Sequence, residues 1–485
     1  MKCCDHCRIW RSACFLLTFC LVLHEPASAQ RMVFAHYMLA NQDYASDSPT
    51  GEENIASYER EILQAQAVGI DGFALNAGGW FKEPRYIRRA SEMFEAAYRL
   101  RSGFRLMFSA DMCCSNGADD ILDMMRRFAN NQRYSTIYFK YNGRFVLTTF
   151  AGSNRGPGFW RKLRDDLERG TDPSLQRAAN AVAYASGIPS NAPVPIDLIP
   201  AFFWGGELPT PNQIQTGLAD YVDTIDGSFY WGIAGVPGLG QPPDQIPSSD
   251  AYAAVLHKAG RLYMAPICFQ FWGANAGRYY EYSGYSGMRT LWMDAINVSH
   301  PDWVEILTWN DFIEGTYVSP IDDPARYPRA NDLRASVAPE STPHFFHSHR
   351  GATDLLKFFI EWYKTGHQPV IRNDTVFWAY RSELAINQSQ DKHLVTTHGP
   401  VASVIYLTAN LISTGTLHVT IGGHTSSIAL ATGSTDVQVR MTAGPPPQFE
   451  LVRGSSLLVQ AHGDDPISES TTYPDLYYST GSMHD

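Results

Sequence analysis

Asp311 and Glu314 lie three residues apart in the stretch "VEILTWNDFIEGTYVSP", Val304 to Pro320. An apolar, β-branched run leads through Trp309 and Asn310 into this pair of acids. A plain loop would favour Gly, Pro, Asn and Ser. Two carboxylates beside aromatic rings suit glycoside hydrolysis. One, protonated, gives its proton to the leaving oxygen; the other, ionised, activates water or attacks the sugar. A like charge nearby and partial burial raise one pKa and so separate the two roles. The plainer alternative is a turn cap, with Asp311 capping and Glu314 completing a capping box. Asn-Asp-x-x-Glu alone is a common pattern, so its place in the fold must decide.

From residue 31 to about 310 the chain alternates between two textures. Short apolar runs at 32–39, 70–76, 104–110, 144–150, 197–203, 221–226, 262–267 and 303–309 read as strands. Helical spacing fills the segments between them. Ile55, Tyr58, Ile62 and Ala65 share one face, as do Ile121, Met124, Met125 and Phe128. "SDAY" offers a helix start before residue 260, and Gly366 a stop after the last helix. Strict alternation implies a parallel sheet. Eight strand–helix units predict an α/β fold of the (β/α)8 TIM barrel type, spanning 30–369. The alternative is an open doubly wound sheet, which would usually carry a Gly-rich turn after its first strand; "ANQDYASDSPTGEEN" carries none. After Pro369, short strands broken by Gly, Asn and Pro predict a C-terminal antiparallel β-sandwich over 370–475. Residues 476–485 read as a loose tail. The short apolar connection into the sandwich predicts a hydrophobic interface near Trp362, Tyr363 and Trp378.

In such a barrel the chemistry lies at the C-terminal ends of the strands. His36, Asn76, Asp111, Trp204, Trp231, Trp272, Trp309 and Asn310 fall at or just past those ends and are the candidate substrate-binding residues. Asp311 and Glu314 are the candidate catalytic pair. Each Trp is as good a core residue as a sugar platform, and His36 equally fits a satisfied interior histidine. "HFFHSH" at 344–349 resembles a metal cluster but has no carboxylate at ligand spacing, and the reaction needs no metal. No cofactor is expected.

The 485 residues are 44% hydrophobic, enough for a large core. The 13% aromatic content suits flat polar ligands such as sugars, and equally a large β-rich protein. Residues 1–29 read as a signal peptide: Lys2, Arg8 and Arg11 precede an apolar run and "ASA" at 27–29. An uncleaved anchor is the alternative, although the run is short for a span. The expectation is a secreted protein, extracellular or periplasmic, monomeric, with no membrane contact after cleavage. Five of eight cysteines leave with the leader; Cys113, Cys114 and Cys268 remain, enough for one disulfide at most. A net charge of −11, without a basic stripe, makes for a poor nucleic-acid binder, and no nucleic-acid partner is expected.

"TWNDFIEGTYVSP" resembles the "TWNDxGESxYIxP" signature of glycoside hydrolase family 71, the α-1,3-glucanases or mutanases. "FAHYMLAN" (34–41), "GIDGFALNAG" (69–78), "RLMFSADM" (105–112), "PDWVEILTWND" (301–311), "IEWYKTG" (360–366) and "VFWAYRSEL" (376–384) resemble further family landmarks, in family order. The resemblance implies a (β/α)8 barrel with a C-terminal β-domain. It also implies endo-hydrolysis of α-1,3-glucan with inversion at the anomeric carbon. Asp311 and Glu314 match the family's acidic pair, with Glu314 assigned as general acid and Asp311 as general base. Asp71 matches another family acid, but begins the second strand, at the end away from chemistry, and is expected to be structural. Ile313 and Gly315 replace the family's Gly and Ser, so "WNDFIEG" also resembles the "WNExxEG" motif of family 99. A retaining α-mannosidase of that type is therefore the alternative enzyme, and a non-catalytic carbohydrate-binding protein the alternative class.

Overall fold

A computed structural model of the protein describes residues 31–40, 51–113, 117–170, 192–236, 244–273, 277–321, 346–384, 396–399, 401–469 and 475–485. Residues 1–29, expected to be a leader, lie outside them, as do Cys114 and His344. Among the described residues no helix is long and apolar enough to cross a membrane.

Eight parallel strands form one curled sheet: β1 (Met32–Met38), β2 (Gly72–Ala77), β3 (Arg105–Asp111), β4 (Arg144–Phe150), β5 (Ile196–Pro200), β6 (Gly227–Phe229), β7 (Leu262–Cys268) and β8 (Trp303–Leu307). Their hydrogen-bonded order is β5-β4-β3-β2-β1-β8-β7-β6. The two ends of this order meet at a narrow seam: Ala201, just past β5, bridges Phe229 of β6, and the Asp226 amide donates to Leu198 O at 3.0 Å. The strands are buried along nearly their whole length, as both faces of a covered parallel sheet must be.

A described helix follows each strand: α1 (Glu52–Ala67), α2 (Arg85–Leu100), α3 (Ala118–Ala129), α4 (Pro157–Arg169), α5 (Pro211–Ala219), α6 (Ile246–Lys258), α7 (Tyr285–Asn297) and α8 (Arg350–Thr365). Ile55, Tyr58, Ile62 and Ala65 are buried on α1, and Ile121, Met124, Met125 and Phe128 on α3, as their spacing requires. At α8 the chain turns out of the helix at Gly366 with φ +73°, a left-handed conformation that glycine enters without Cβ strain.

Two local expectations are corrected. Residues 221–226 are turn, and the sixth strand is 227–229. Tyr221 and Ile225 are spaced i, i+4 and close a helical turn, with the Ile225 amide donating to Tyr221 O at 3.1 Å. Helix α6 begins at Ile246, ahead of "SDAY", because the Asp244 carboxylate accepts the Ile246 amide at 2.9 Å.

Beyond Asp374 the chain forms two four-stranded antiparallel sheets. Their strands are β9 (Thr375–Arg381), β10 (Val404–Leu411), β11 (Gly415–Ile421), β12 (His424–Leu430), β13 (Gly433–Arg440), β14 (Gln448–Arg453), β15 (Ser456–His462) and β16 (Tyr478–His484). The orders are β13-β10-β9-β16 and β12-β11-β14-β15. Between them Trp378 stacks on Phe449 with ring centroids 4.5 Å apart. The last residues are no loose tail: β16 pairs with β9 from Tyr478 to His484, and Leu476, Tyr477 and Tyr478 are buried. The polar character of the segment hid three large anchoring side chains.

The interface between the α/β half and these sheets also differs from expectation. Tyr363 turns into the α/β half, where its hydroxyl donates to Pro301 O at 2.8 Å, and Trp378 belongs to the core of the C-terminal sheets. Phe377, Ala379, Tyr406 and Tyr478 continue the α/β core across the junction. At the centre of the junction Arg381 and Glu281 form a buried ion pair at 3.1 Å. Tyr478 bonds both partners, at 2.8 Å each, and Tyr279 bonds both as well. Asp71 ties β1 to α8: it accepts the Val33 amide at 2.8 Å and pairs with Lys364 of α8 at 2.6 Å.

Candidate active site

The segment after β8 folds back on itself. The Thr308 amide donates to Thr316 O at 2.9 Å, Val318 N to Thr308 O at 2.9 Å and Ser319 N to Trp309 O at 3.0 Å. The tip of this fold carries Asp311 and Glu314. Asn310 fixes its root, accepting the Met38 amide at 2.7 Å and donating to Met38 O at 3.2 Å. The end of β1 and the acidic loop are thus bolted together. Gly315 follows with φ +63°, and a Cβ there would lie 2.6 Å from the Tyr477 ring. A glycine in place of the family's serine therefore has a local reason.

The Asp311 carboxylate accepts the Glu314 amide at 3.1 Å, so the capping contact is real. It does not account for the rest of the site, because Glu314's own carboxylate faces charged groups. Arg278 Nη2 lies 3.5 Å from Glu314 Oε1, and Arg278 Nη1 lies 2.8 Å from Glu207 Oε1. The Tyr280 hydroxyl also donates to Glu207. Asp311 is 5% exposed, while the Glu314 side chain keeps 27% of its surface open. Burial and then the charge of Asp311 push the Glu314 carboxyl up to about 8, against the pull of Arg278. Burial also raises Asp311, opposed by the Glu314 amide, by His36 and by the Ile313 amide. Glu314 therefore holds its proton near neutral pH, the state a general acid needs.

His36 on β1 is fully buried beneath this loop, with Trp231 edge-on at 4.7 Å between ring centroids. Trp231 in turn meets Phe150, half-buried at the end of β4, at 4.8 Å. His36, Trp231 and Phe150 thus form one run of ring contacts, and the His36 carbonyl accepts the Trp309 amide at 2.7 Å at the root of the acidic loop. Trp272 reaches it through its backbone, its amide donating to Glu314 O at 2.9 Å, while its ring is buried in a separate cluster with Phe312, Tyr317 and Tyr477. The Trp309 ring is fully buried against Phe73 at 5.4 Å. Trp204 lies half-buried over Gly217 of α5, packed on Phe202 and Tyr221. Asn76 is buried at the end of β2. Asp111, at the end of β3, accepts the Cys113 amide at 2.9 Å. Glu207, Arg278 and Glu305 are functional candidates that the sequence reading passed over. Only Glu305 carried a signal: an acid at the inward register of a strand, two residues from Trp303 and two from Leu307.

"HFFHSH" does acquire carboxylates, from far along the chain. His347 Nδ1 lies 2.9 Å from Asp465 and Nε2 2.8 Å from Asp475. Both ring nitrogens are thereby engaged, and among the described residues no group of side chains is arranged to hold a metal ion.

A curled parallel sheet with an acid pair past a strand end, one member kept protonated, is the equipment of a glycoside hydrolase. The chain belongs to glycosyl hydrolase family 71, whose model matches residues 29–479. It is 24% identical to a glucan endo-1,3-alpha-glucosidase of Schizosaccharomyces pombe, over 95% of this chain and 96% of that one. It is likewise 24% identical to a mutanase of Penicillium rubens, over 98% and 96%. Among solved structures, a family 99 endo-alpha-mannosidase from Bacteroides thetaiotaomicron matches 69% of this chain and 98% of its own, at 10% identity and a TM-score of 0.47.

Proposed function

We propose that this glycoside hydrolase cleaves internal α-1,3-glucosidic bonds of α-1,3-glucan with inversion, Glu314 acting as general acid and Asp311 as general base. Glu314 protonates the glycosidic oxygen as the bond breaks. Asp311 takes a proton from a water that attacks the opposite face of the sugar. The single observation that carries the assignment is the unequal placing of the two acids: Asp311 is 5% exposed and accepts the Glu314 amide at 3.1 Å, whereas the Glu314 carboxyl stays partly open, 3.5 Å from Arg278, and is pushed up to about 8 by burial and the charge of Asp311. The names of the family 71 relatives supply the glucan. The same reading takes the curled sheet as a (β/α)8 barrel, and residues 1–29 as a leader that exports the enzyme to a polysaccharide outside the cell. Trp231, Asn76 and Asp111 would line the sugar subsites, with His36 buried beneath them.

The test is hydrolysis of insoluble α-1,3-glucan, with product anomers followed by NMR at early times. Inverted products are expected from the wild-type enzyme. Glu314→Gln and Asp311→Asn are each expected to lose ~10²–10⁴-fold in turnover while remaining folded. Retained anomeric configuration would overturn the inverting mechanism and favour the mannosidase-like alternative. Near wild-type turnover in either variant would remove that residue from the chemistry.

A further inference from the structure

Glu305 and His36 form an ionisable pair inside the curled sheet that the acid–base step does not use. They stand on adjacent strands, β8 and β1, with Glu305 Oε1 2.6 Å from His36 Nδ1. Both side chains are 0% exposed. The second atom of each, Glu305 Oε2 and His36 Nε2, is buried and has no hydrogen-bond partner. A lone carboxylate at such a depth is costly, and the cost falls when a proton makes the pair neutral overall. A ring nitrogen remains, on a residue held edge-on by Trp231 and bonded through its backbone oxygen to the Trp309 amide at 2.7 Å, two residues before Asp311.

We propose that Glu305 and His36 are positioning residues for the hydrolysis. Glu305 holds a proton on Nδ1 of His36, and the resulting cation keeps Asp311 as the carboxylate that activates water. The Nε2–H, buried, is left to donate to a water. Among the described residues, Glu305 from β8 and the uncharged Trp231 from beyond β6 meet the His36 ring, and Asp311 lies on the loop whose root the His36 carbonyl holds. No proton leaves the pair during turnover; the proton taken from water passes to Asp311 and then to solvent. The two acids are thus driven apart from two sides: His36 opposes protonation of Asp311, and Asp311 favours protonation of Glu314. This inference rests on the reading of Asp311 as base.

The test is the pH profile of kcat/KM on α-1,3-glucan for wild type, Glu305→Gln, His36→Gln and the double variant. In each single variant the acidic limb, set by Asp311, is expected to move up by about half a pH unit or more. Activity at pH 5 should then fall ~3-fold further than activity at pH 7. The double variant should show no additional shift, because the two residues act as a unit. An unmoved acidic limb, with turnover lowered equally at every pH, makes the pair structural and overturns the proposal. Should a variant fail to fold, 15N NMR of the wild-type imidazole decides: protons on both ring nitrogens of His36 at pH 6 are expected, and a singly protonated ring overturns the proposal. If Asp311→Asn remains active, the base assignment falls, whereas the NMR result still reports on the pair.

Discussion

Asp311 and Glu314 are the same functional group in two surroundings, and the difference has consequences for stability as well as rate. A carboxylic acid raised in the folded state favours the protonated form. For Glu314 that contribution is fully present below its unfolded value, about 4.3, and is lost as pH rises through about 8. Above pH 8 the folded enzyme carries a poorly accommodated charge. Glu314→Gln is therefore expected to be inactive yet more stable, by about 1–2 kcal/mol at pH 8.5 once solvent screening is allowed for, and indistinguishable at pH 4. Denaturant melts at both pH values check this; equal gains at both would show that charge is not the cause. Arg278 pulls the other way on the same carboxyl. Arg278→Gln should move the alkaline limb of the pH profile upward, and an unmoved limb would mean the guanidinium acts only on Glu207. The acid pair was legible in the sequence because both members lie in one contiguous motif. Arg278 and Glu207 were not, since each is an ordinary surface residue type whose partner is brought in by a different loop. Trp309 read as a platform because its position is right, yet its ring is fully buried against Phe73.

At the scale of elements, the period of the apolar residues located seven of the eight strands and the helices around them, because burial acts on every residue of those segments. It failed where single contacts decide. The sixth strand is three residues long, too short to carry a period. The final strand is held by Tyr477 and Tyr478 rather than by an apolar run. The His347 clamp shows the same effect: Asp465 and Asp475 lie over a hundred residues away in sequence and meet one imidazole. Burial works against a charge on His347, but the two carboxylates outweigh it and hold its pKa well above the usual value. Burial likewise opposes the charge on Asp465, and His347 overrides it and holds the carboxyl down at about 2. The raised histidine contributes stability fully below about pH 6.5 and loses it as pH rises through the raised value. The depressed aspartate contributes above about pH 4 and loses its share as pH falls towards its folded value. The clamp is therefore strongest between about pH 4 and 6.5. His347→Gln should lower Tm most near pH 5, with the deficit shrinking on the alkaline side. A deficit that is the same at every pH would mean that shape, not charge, holds the two segments together.

For the whole molecule the question is whether the C-terminal sheets are a swinging sugar-binding module or part of the catalytic body. Their last strand reaches the acidic loop. The Tyr477 hydroxyl donates to Phe312 O at 3.1 Å, and its ring covers Gly315. The Tyr478 amide donates to Gln270 Oε1 at 2.9 Å, and the same Gln270 donates through Nε2 to Gly315 O. The backbone that carries Glu314 is thus braced from the far end of the chain. Removal of everything after Gly366 would strip that brace and also leave Glu281 without Arg381. Breaking a buried pair by deleting one partner costs about 3–5 kcal/mol, a large part of the stability of an ordinary domain. Truncation after Gly366 is therefore expected to give an aggregating protein. In the full chain, Arg381→Met should lower Tm by several degrees. Tyr477→Ala, which deletes the brace and leaves Arg381 in place, should reduce kcat on short soluble oligosaccharides as much as on insoluble glucan. A tethered binding module predicts the opposite pattern: a truncated enzyme that is soluble, equally heat-stable, and impaired only on the insoluble polymer. That result would show that Tyr477 and Arg381 merely dock the sheets and that the acidic loop keeps its shape without them.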